Sequence, residues 1–351
     1  MAKKIQYRRP PARDIHGILL LDKPLGLSSN QALQKVRNLY NATKAGHTGA
    51  LDPLATGLLP ICLGDATKIA GLLLSEAKAY RTRVQLGADT ETDDAEGQIV
   101  RQRPVPALAR EVVEAVLPQF CGRIRQVPPR YSALKREGEQ VARGSLDLGL
   151  GPGGHARRLR QFLGIGGYSA LKREGEPLYL RARRGEVFDV PAREVEVMRI
   201  DLLDFGPDWL ELDIECGSGT YIRSLARDIG DALGCGGHVA ALRRLWVDPF
   251  RQPQMHTLDA LDGISARGEG ALDALLLPVQ AGLAHWRRVV LDAAQEKILR
   301  HGQRPRVGEA AGAVLAMAQD GTAIGLAEVL GDGTLAARRL FRPSHDGTPA
   351  A

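Results

Sequence analysis

Residues 210–233 limit the fold most. Leu210, Leu212, Ile214 and Cys216 alternate with Glu211, Asp213 and Glu215. A period of two with one apolar face is a half-buried strand. Gly217-Ser-Gly-Thr220 turns the chain, and Tyr221–Leu233 carries Ile222, Leu225, Ile229 and Leu233 at helical spacing. Elsewhere Ile15–Leu21 reads as a buried strand. Ser28 and Ser29 can cap a helix over 30–40 through Leu33, Val36 and Tyr40. Asp65 is placed to cap a second helix reaching Leu74. Tyr80–Leu86 alternates as a half-buried strand, Asp89–Gly97 is a polar stretch, and 107–119 reads as a helix. Strands and helices in this order predict an α+β fold around a mixed, largely antiparallel sheet flanked by helices.

The texture changes near residue 287. Val314–Gln319, Ile324–Val329 and Leu335–Phe341 are short apolar runs divided at Asp320-Gly321 and Asp332-Gly333, a strong hairpin signal. These predict a small β-rich C-terminal domain over 285–345. A Gly/Ala-rich linker is expected over 262–284, a main domain over 15–261 and a polar, Pro/Arg-rich arm over 1–14.

A chain of 351 residues, 44% hydrophobic, can build one large domain with a small one. Its net charge of +6 is unevenly placed. Residues 122–185 hold 12 Arg and 2 Lys against 5 acids, a net of +9, and the remainder sums to −3. A basic segment on a near-neutral body suits a polyanionic partner, or else a solvated Arg-rich loop. No basic amphipathic helix or apolar run of about 18 residues points to a membrane, and the N-terminus lacks the apolar core of a signal peptide. Cys62, Cys121, Cys216 and Cys235 are scattered, and the eight histidines lack ligand spacing. A reducing cytoplasm and no metal are therefore expected.

The nonapeptide Tyr131-Ser-Ala-Leu-Lys-Arg-Glu-Gly-Glu139 recurs unchanged at Tyr168–Glu176, 37 residues later. One duplicated nonapeptide is too little for a solenoid. Gln140–Gly167, between the copies, is rich in Gly and Arg, a loop composition.

The loop Gly46-His-Thr-Gly-Ala-Leu-Asp52-Pro-Leu-Ala-Thr-Gly57 is the candidate for chemistry. Pro53 keeps Asp52 out of the right-handed helical region, and the glycines let backbone approach a bulky group. This loop closely resembles the catalytic motif of the TruB-type tRNA pseudouridine synthases. Four further blocks resemble the same family in its order: Gly17–Gly26, Ala79-Tyr80-Arg81, Gly219-Thr-Tyr-Ile-Arg223, and His238–Arg244 with Leu242-Arg-Arg. The resemblance implies the pseudouridine synthase fold and a C-terminal PUA-like RNA-binding domain.

It further implies that Asp52 is the nucleophile and that Arg223 pairs with it. Tyr80 would stack on the target base and could help remove its C5 proton. Tyr221 and Leu242 would line the pocket, and His47 would fill the space a flipped base vacates. Lys23 would sit near the site, although a solvated loop lysine is an equal reading. The activity implied is isomerisation of the T-loop uridine at tRNA position 55, with the T-arm stem-loop as RNA partner. No cofactor and no obligate protein partner are implied. A guide-dependent relative and a non-catalytic tRNA-folding chaperone are the alternatives. The family carries the Tyr-Ser-Ala-Leu-Lys pattern once. Residues 131–167 therefore stand as an insertion, by duplication or by an error in the gene's reading, within the family's RNA-clamping segment. Neither Tyr131 and Lys135 nor Tyr168 and Lys172 can be assigned the family's single position.

Overall fold

A computed structural model describes residues 11–74, 76–129 and 191–342, with the backbone pairing of four short pieces at 135–137, 168–170, 172–173 and 176–177. The nonapeptide side chains, most of the basic segment and residues 1–10 of the arm lie outside the described residues.

The main sheet is built from β1 (Gly17–Lys23), β2 (Ala45–His47), β3 (Ala55–Leu63), β4 (Lys78–Leu86), β5 (Gly122–Gln126), β6 (Arg193–Phe205), β7 (Trp209–Cys216) and β8 (Gly237–Val247). Its order is β1-β3-β8-β4-β7-β6-β5, with β2 paired to β3 off this path. Only β3 and β8 run parallel; every other pair is antiparallel. This is the mixed, largely antiparallel sheet expected. The alternation of β7 is real, since Leu210, Leu212, Ile214 and Cys216 are all buried.

β1 is apolar from Gly17 to Leu21 because both its faces are covered there. Leu19 and Leu21 join the core under the helices Ser29–Leu39 and Ile222–Ala232, while Ile18 and Leu20 face a second core. The helix Ser29–Leu39 begins where expected, capped by Ser28 in a box with Gln31.

The C-terminal sheet holds β9 (Arg288–Leu291), β10 (Gly312–Ala318), β11 (Ala323–Val329) and β12 (Leu335–Leu340) in sequence order. Both Asp-Gly pairs turn hairpins as read. Asp320 and Asp332 each accept the amide two residues on, from Thr322 and Thr334, and Gly321 and Gly333 take positive φ.

Two local readings need correction. Asp65 caps no helix: it lies inside a 3-10 turn, Gly64–Lys68, and its carboxylate is taken by Lys68 and the Arg342 amide. The α-helix begins only at Ala70. The Gly/Ala-rich stretch 262–284 is no free tether. It holds short helices whose Leu272 and Leu283 are buried in the two cores, and Leu277 bridges to Ile18 on β1. Met317 and Leu326 of the small sheet enter the core that Ile18 and Leu58 share.

Candidate active site

The Asp52 loop joins β2 to β3. Pro53 sits second in a tight turn that the Ala55 amide closes onto the Asp52 carbonyl, at 3.0 Å. Three neighbours hold the loop. The Ser29 hydroxyl accepts the Leu51 amide and donates to the Leu51 carbonyl. The Gly26 amide donates to the Pro53 carbonyl. Arg244, fully buried, donates to the carbonyls of Leu58 and Gly49 on either side. Gly57 is obligatory here. Its φ is +95°, and a Cβ would drive into the Arg244 backbone.

Arg223 reaches Asp52 from the first turn of the helix Ile222–Ala232, with Nε 3.0 Å from Oδ2. The approach is not aligned as a hydrogen bond, so Nε–H remains without a hydrogen-bond partner. The rest of the guanidinium is anchored behind. Nη1 donates to the Thr92 carbonyl at 2.9 Å and lies 3.3 Å from Asp94 Oδ2. Asp94 in turn accepts the Glu96 amide and the Thr92 hydroxyl. The side chains of Arg223 and Asp94 are 6% and 3% exposed, whereas that of Asp52 keeps 41%. One carboxylate is therefore sealed behind the arginine and the other opens to the cleft. Desolvation raises the Asp52 carboxyl above its usual value. Asp94 adds to this; Arg223 and Lys23 oppose it.

Tyr80, on β4, is buried beside this cluster. Burial pushes its phenol up, with Arg244 opposing, so the neutral form is favoured. Leu242 on β8 is buried opposite Ala55 of β3 on one side and Thr82 of β4 on the other. Tyr221 is the residue before the helix, and its ring lies under the Arg193 guanidinium at 4.6 Å. His47 is half-buried at the end of β2, opposite Ile61.

Lys23 is not a solvated loop lysine. It is wholly buried under the Asp52 loop, donating to the carbonyls of Pro24, Leu27 and Pro53. Burial pulls its ammonium down to about 8, against the favourable carboxylates of Asp52 and Glu96. Asp94 and Ser29 escaped the sequence reading as site residues. Asp94 lay in a polar stretch that carried no spacing signal, and Ser29 read only as a cap. Among the described residues no helix is long and apolar enough to cross a membrane, and no group of three or more His, Cys, Asp or Glu could hold a metal.

Comparison with known proteins bears on this geometry. Residues 37–145 and 165–222 match the TruB family pseudouridylate synthase N-terminal domain, and 223–284 match the tRNA pseudouridylate synthase B C-terminal domain. The break at 146–164 falls between the two nonapeptides. The chain is 51% identical over 330 residues to the tRNA pseudouridine synthase B of Xanthomonas axonopodis pv. citri, covering 94% of this chain and 95% of that one. It is 49% identical to that of Xylella fastidiosa, covering 97% and 99%. Among solved structures, an H/ACA RNP bound to a substrate RNA containing 2'-deoxyuridine aligns with a TM-score of 0.64 at 20% identity, over 98% of this chain and 94% of that one. A Cbf5-Nop10-Gar1 complex aligns at 0.63 and 22%, over 93% and 85%. At such identities these neighbours speak for the fold alone. The family matches and the close relatives say more: the chain belongs to the TruB family of pseudouridylate synthases.

Proposed function

We propose that this chain isomerises the T-loop uridine at position 55 of tRNA to pseudouridine, with Asp52 as the nucleophile. The observation that carries this reading is the asymmetry of the two carboxylates around Arg223, one sealed and one open. A fixed cation behind an accessible carboxylate orients it and limits its protonation as the cleft excludes water.

The atom balance needs no second reactant. Asp52 attacks ribose C1′, or takes the C2′ proton to give a glycal, and the C1′–N1 bond breaks. The freed uracil turns and C5 bonds to C1′, as Asp52 leaves C1′ or, on the glycal route, returns its proton to C2′. The C5 proton leaves and N1 gains one. Tyr80, favoured in its neutral form, would stack on the base and hydrogen-bond to it. Leu242 and Tyr221 would pack around the base. His47 would occupy the space left when the uridine flips out. The T-arm would be recognised by shape, the basic segment and the PUA-like C-terminal sheet meeting its phosphates.

The test is tritium release from tRNA labelled at uracil C5, without any guide RNA. Wild type is expected to release one equivalent per tRNA, and none once the T-loop uridine is replaced. Asp52→Asn is expected to lower the rate by about 10³-fold or more while tRNA binding persists. A wild-type chain that binds tRNA and releases no tritium would point to the chaperone or to a clamp disabled by the insertion, and deleting 131–167 would decide: restored release marks the clamp, continued absence the chaperone. A requirement for guide RNA would establish the guide-dependent reading. Because the Asp52 carboxyl is raised, the acid limb of the rate should lie above the ordinary carboxylate range.

A further inference from the structure

We infer that Gln126 is a positioning residue of the catalytic centre, holding the start of the Arg223 helix so that the guanidinium meets Asp52. The inference rests on the functional reading above. Gln126 ends β5 and has no exposed surface. Its amide makes a reciprocal pair with one backbone unit. Oε1 accepts the Tyr221 amide at 2.8 Å, and Nε2 donates to the Tyr221 carbonyl at 3.0 Å.

Tyr221 occupies the N-cap position of the helix Ile222–Ala232 and offers no side-chain cap. A helix normally receives that bond from Ser, Thr, Asp or Asn at this place. Here strand β5 fixes the cap residue from outside. The neighbouring residue continues the stitch. The Val127 carbonyl accepts the Ser224 hydroxyl at 2.8 Å and Arg227 Nη2 at 3.1 Å. Arg193, which faces Gln126 in the β6–β5 ladder, covers the Tyr221 ring. The cap residue is thus gripped on its backbone and on its ring.

The geometry makes such a grip consequential. Successive side chains on a helix diverge by about 100°, so rotation or fraying at residue 221 re-aims Arg223 directly. The Arg223–Asp52 contact is close without being aligned, so it has no directional bond of its own to correct an error. A general packing role would act on stability; a positioning role acts on the chemical step.

The experiment is single-turnover pseudouridine formation at saturating tRNA, with tRNA affinity and thermal unfolding measured on the same samples. Gln126→Leu is expected to slow the chemical step by about 10- to 100-fold, with tRNA affinity within about twofold. In an Arg223→Lys background the same change should cost much less, because the contact it serves is already altered. Gln126→Glu keeps the acceptor for the Tyr221 amide and loses the donor, and should fall between. If Gln126→Leu does not fold, Gln126→Glu decides alone: a slowed step at saturating tRNA supports the proposal, and the wild-type rate overturns it. An unchanged rate in Gln126→Leu, or an equal loss with and without Arg223→Lys, also overturns it. If wild type itself has no turnover, the functional reading fails first, and the two failures stay distinct.

Discussion

The floor of the cleft and the C-terminal sheet are built on opposite plans. Around Asp52 the structure buries ions and ties together groups distant in sequence: Lys23, Asp94, Arg223 and Arg244. In the C-terminal sheet each strand pairs with its sequence neighbour: β9 lies parallel to β10 across the helix Ala293–Arg300, and the other two pairs are hairpins whose turns of a few residues fix the register. A buried ion is stable only while its partners hold it, whereas a hairpin needs little beyond its own turn. The cleft therefore trades robustness for placed charge, and the small sheet does the reverse.

Removing the central cation breaks this comparison hardest. Arg223→Met leaves Asp94 sealed and without its cation. It is expected to cost about 3–5 kcal/mol in urea unfolding and to lower turnover by about 10²-fold or more. Adding Asp94→Asn should recover part of the stability and none of the turnover. Backbone changes come next. Gly57→Ala is expected to cost about 2–4 kcal/mol and to lower activity, since the loop must move off Arg244.

Lys23 offers a subtler test through pH. Its ammonium lies near 8 in the folded chain and near 10.5 when free. Between these values the unfolded chain holds the additional proton, so Lys23 contributes a rise of stability with pH, against the fall contributed by the Cys62 and Cys216 thiols, which burial pushes up. The full span of the Lys23 contribution is ~3 kcal/mol. Lys23→Met should remove that contribution, so that between pH 8 and 10 its stability in urea titrations changes less favourably than that of wild type, and an identical change in both would overturn the assignment. The smallest effect is expected in the other region. Gly321 also has positive φ, but a Cβ there meets open space. Gly321→Ala should cost about 1 kcal/mol and leave turnover within about twofold.

The same division explains what the sequence disclosed. The three hairpin strands and both turns of the C-terminal sheet follow from local chemistry, as do the alternation of β7 and the Ser28 cap, whereas β9, paired in parallel across a helix, escaped the sequence reading. Asp52 and Arg223 stood out because whole blocks resembled a family, not because their spacing announced a pair. Asp94 and Gln126 gave no comparable signal, since their partners, Arg223 and Tyr221, lie 129 and 95 residues on and become neighbours only when the Arg223 helix docks. Asp65 misled because a cap and an interior turn position share the same residue type. Lys23 misled because lysines are almost always solvated. Its place in the strand that begins with the buried apolar run Ile18–Leu21 was the clue to burial.

The one parallel pairing among the described strands of the main sheet, β3 beside β8, also orders events at the ribosome. β1 and β3 can zip together as soon as both have emerged, and β2 can cover Ile61–Leu63 of the other edge, but Ala55–Gly57 on that edge await Leu242–Arg244. At roughly 5–20 residues per second, that edge stays open for some ten to forty seconds of synthesis. The Asp52 loop hangs from this edge and cannot be locked by Arg244 in the meantime. A nascent chain stalled before residue 240 thus presents an apolar strand edge, an invitation to wrong partners. The gap between the two halves of the site is consequently a window of exposure for holding chaperones to cover, and stalled or truncated chains should be where this protein aggregates.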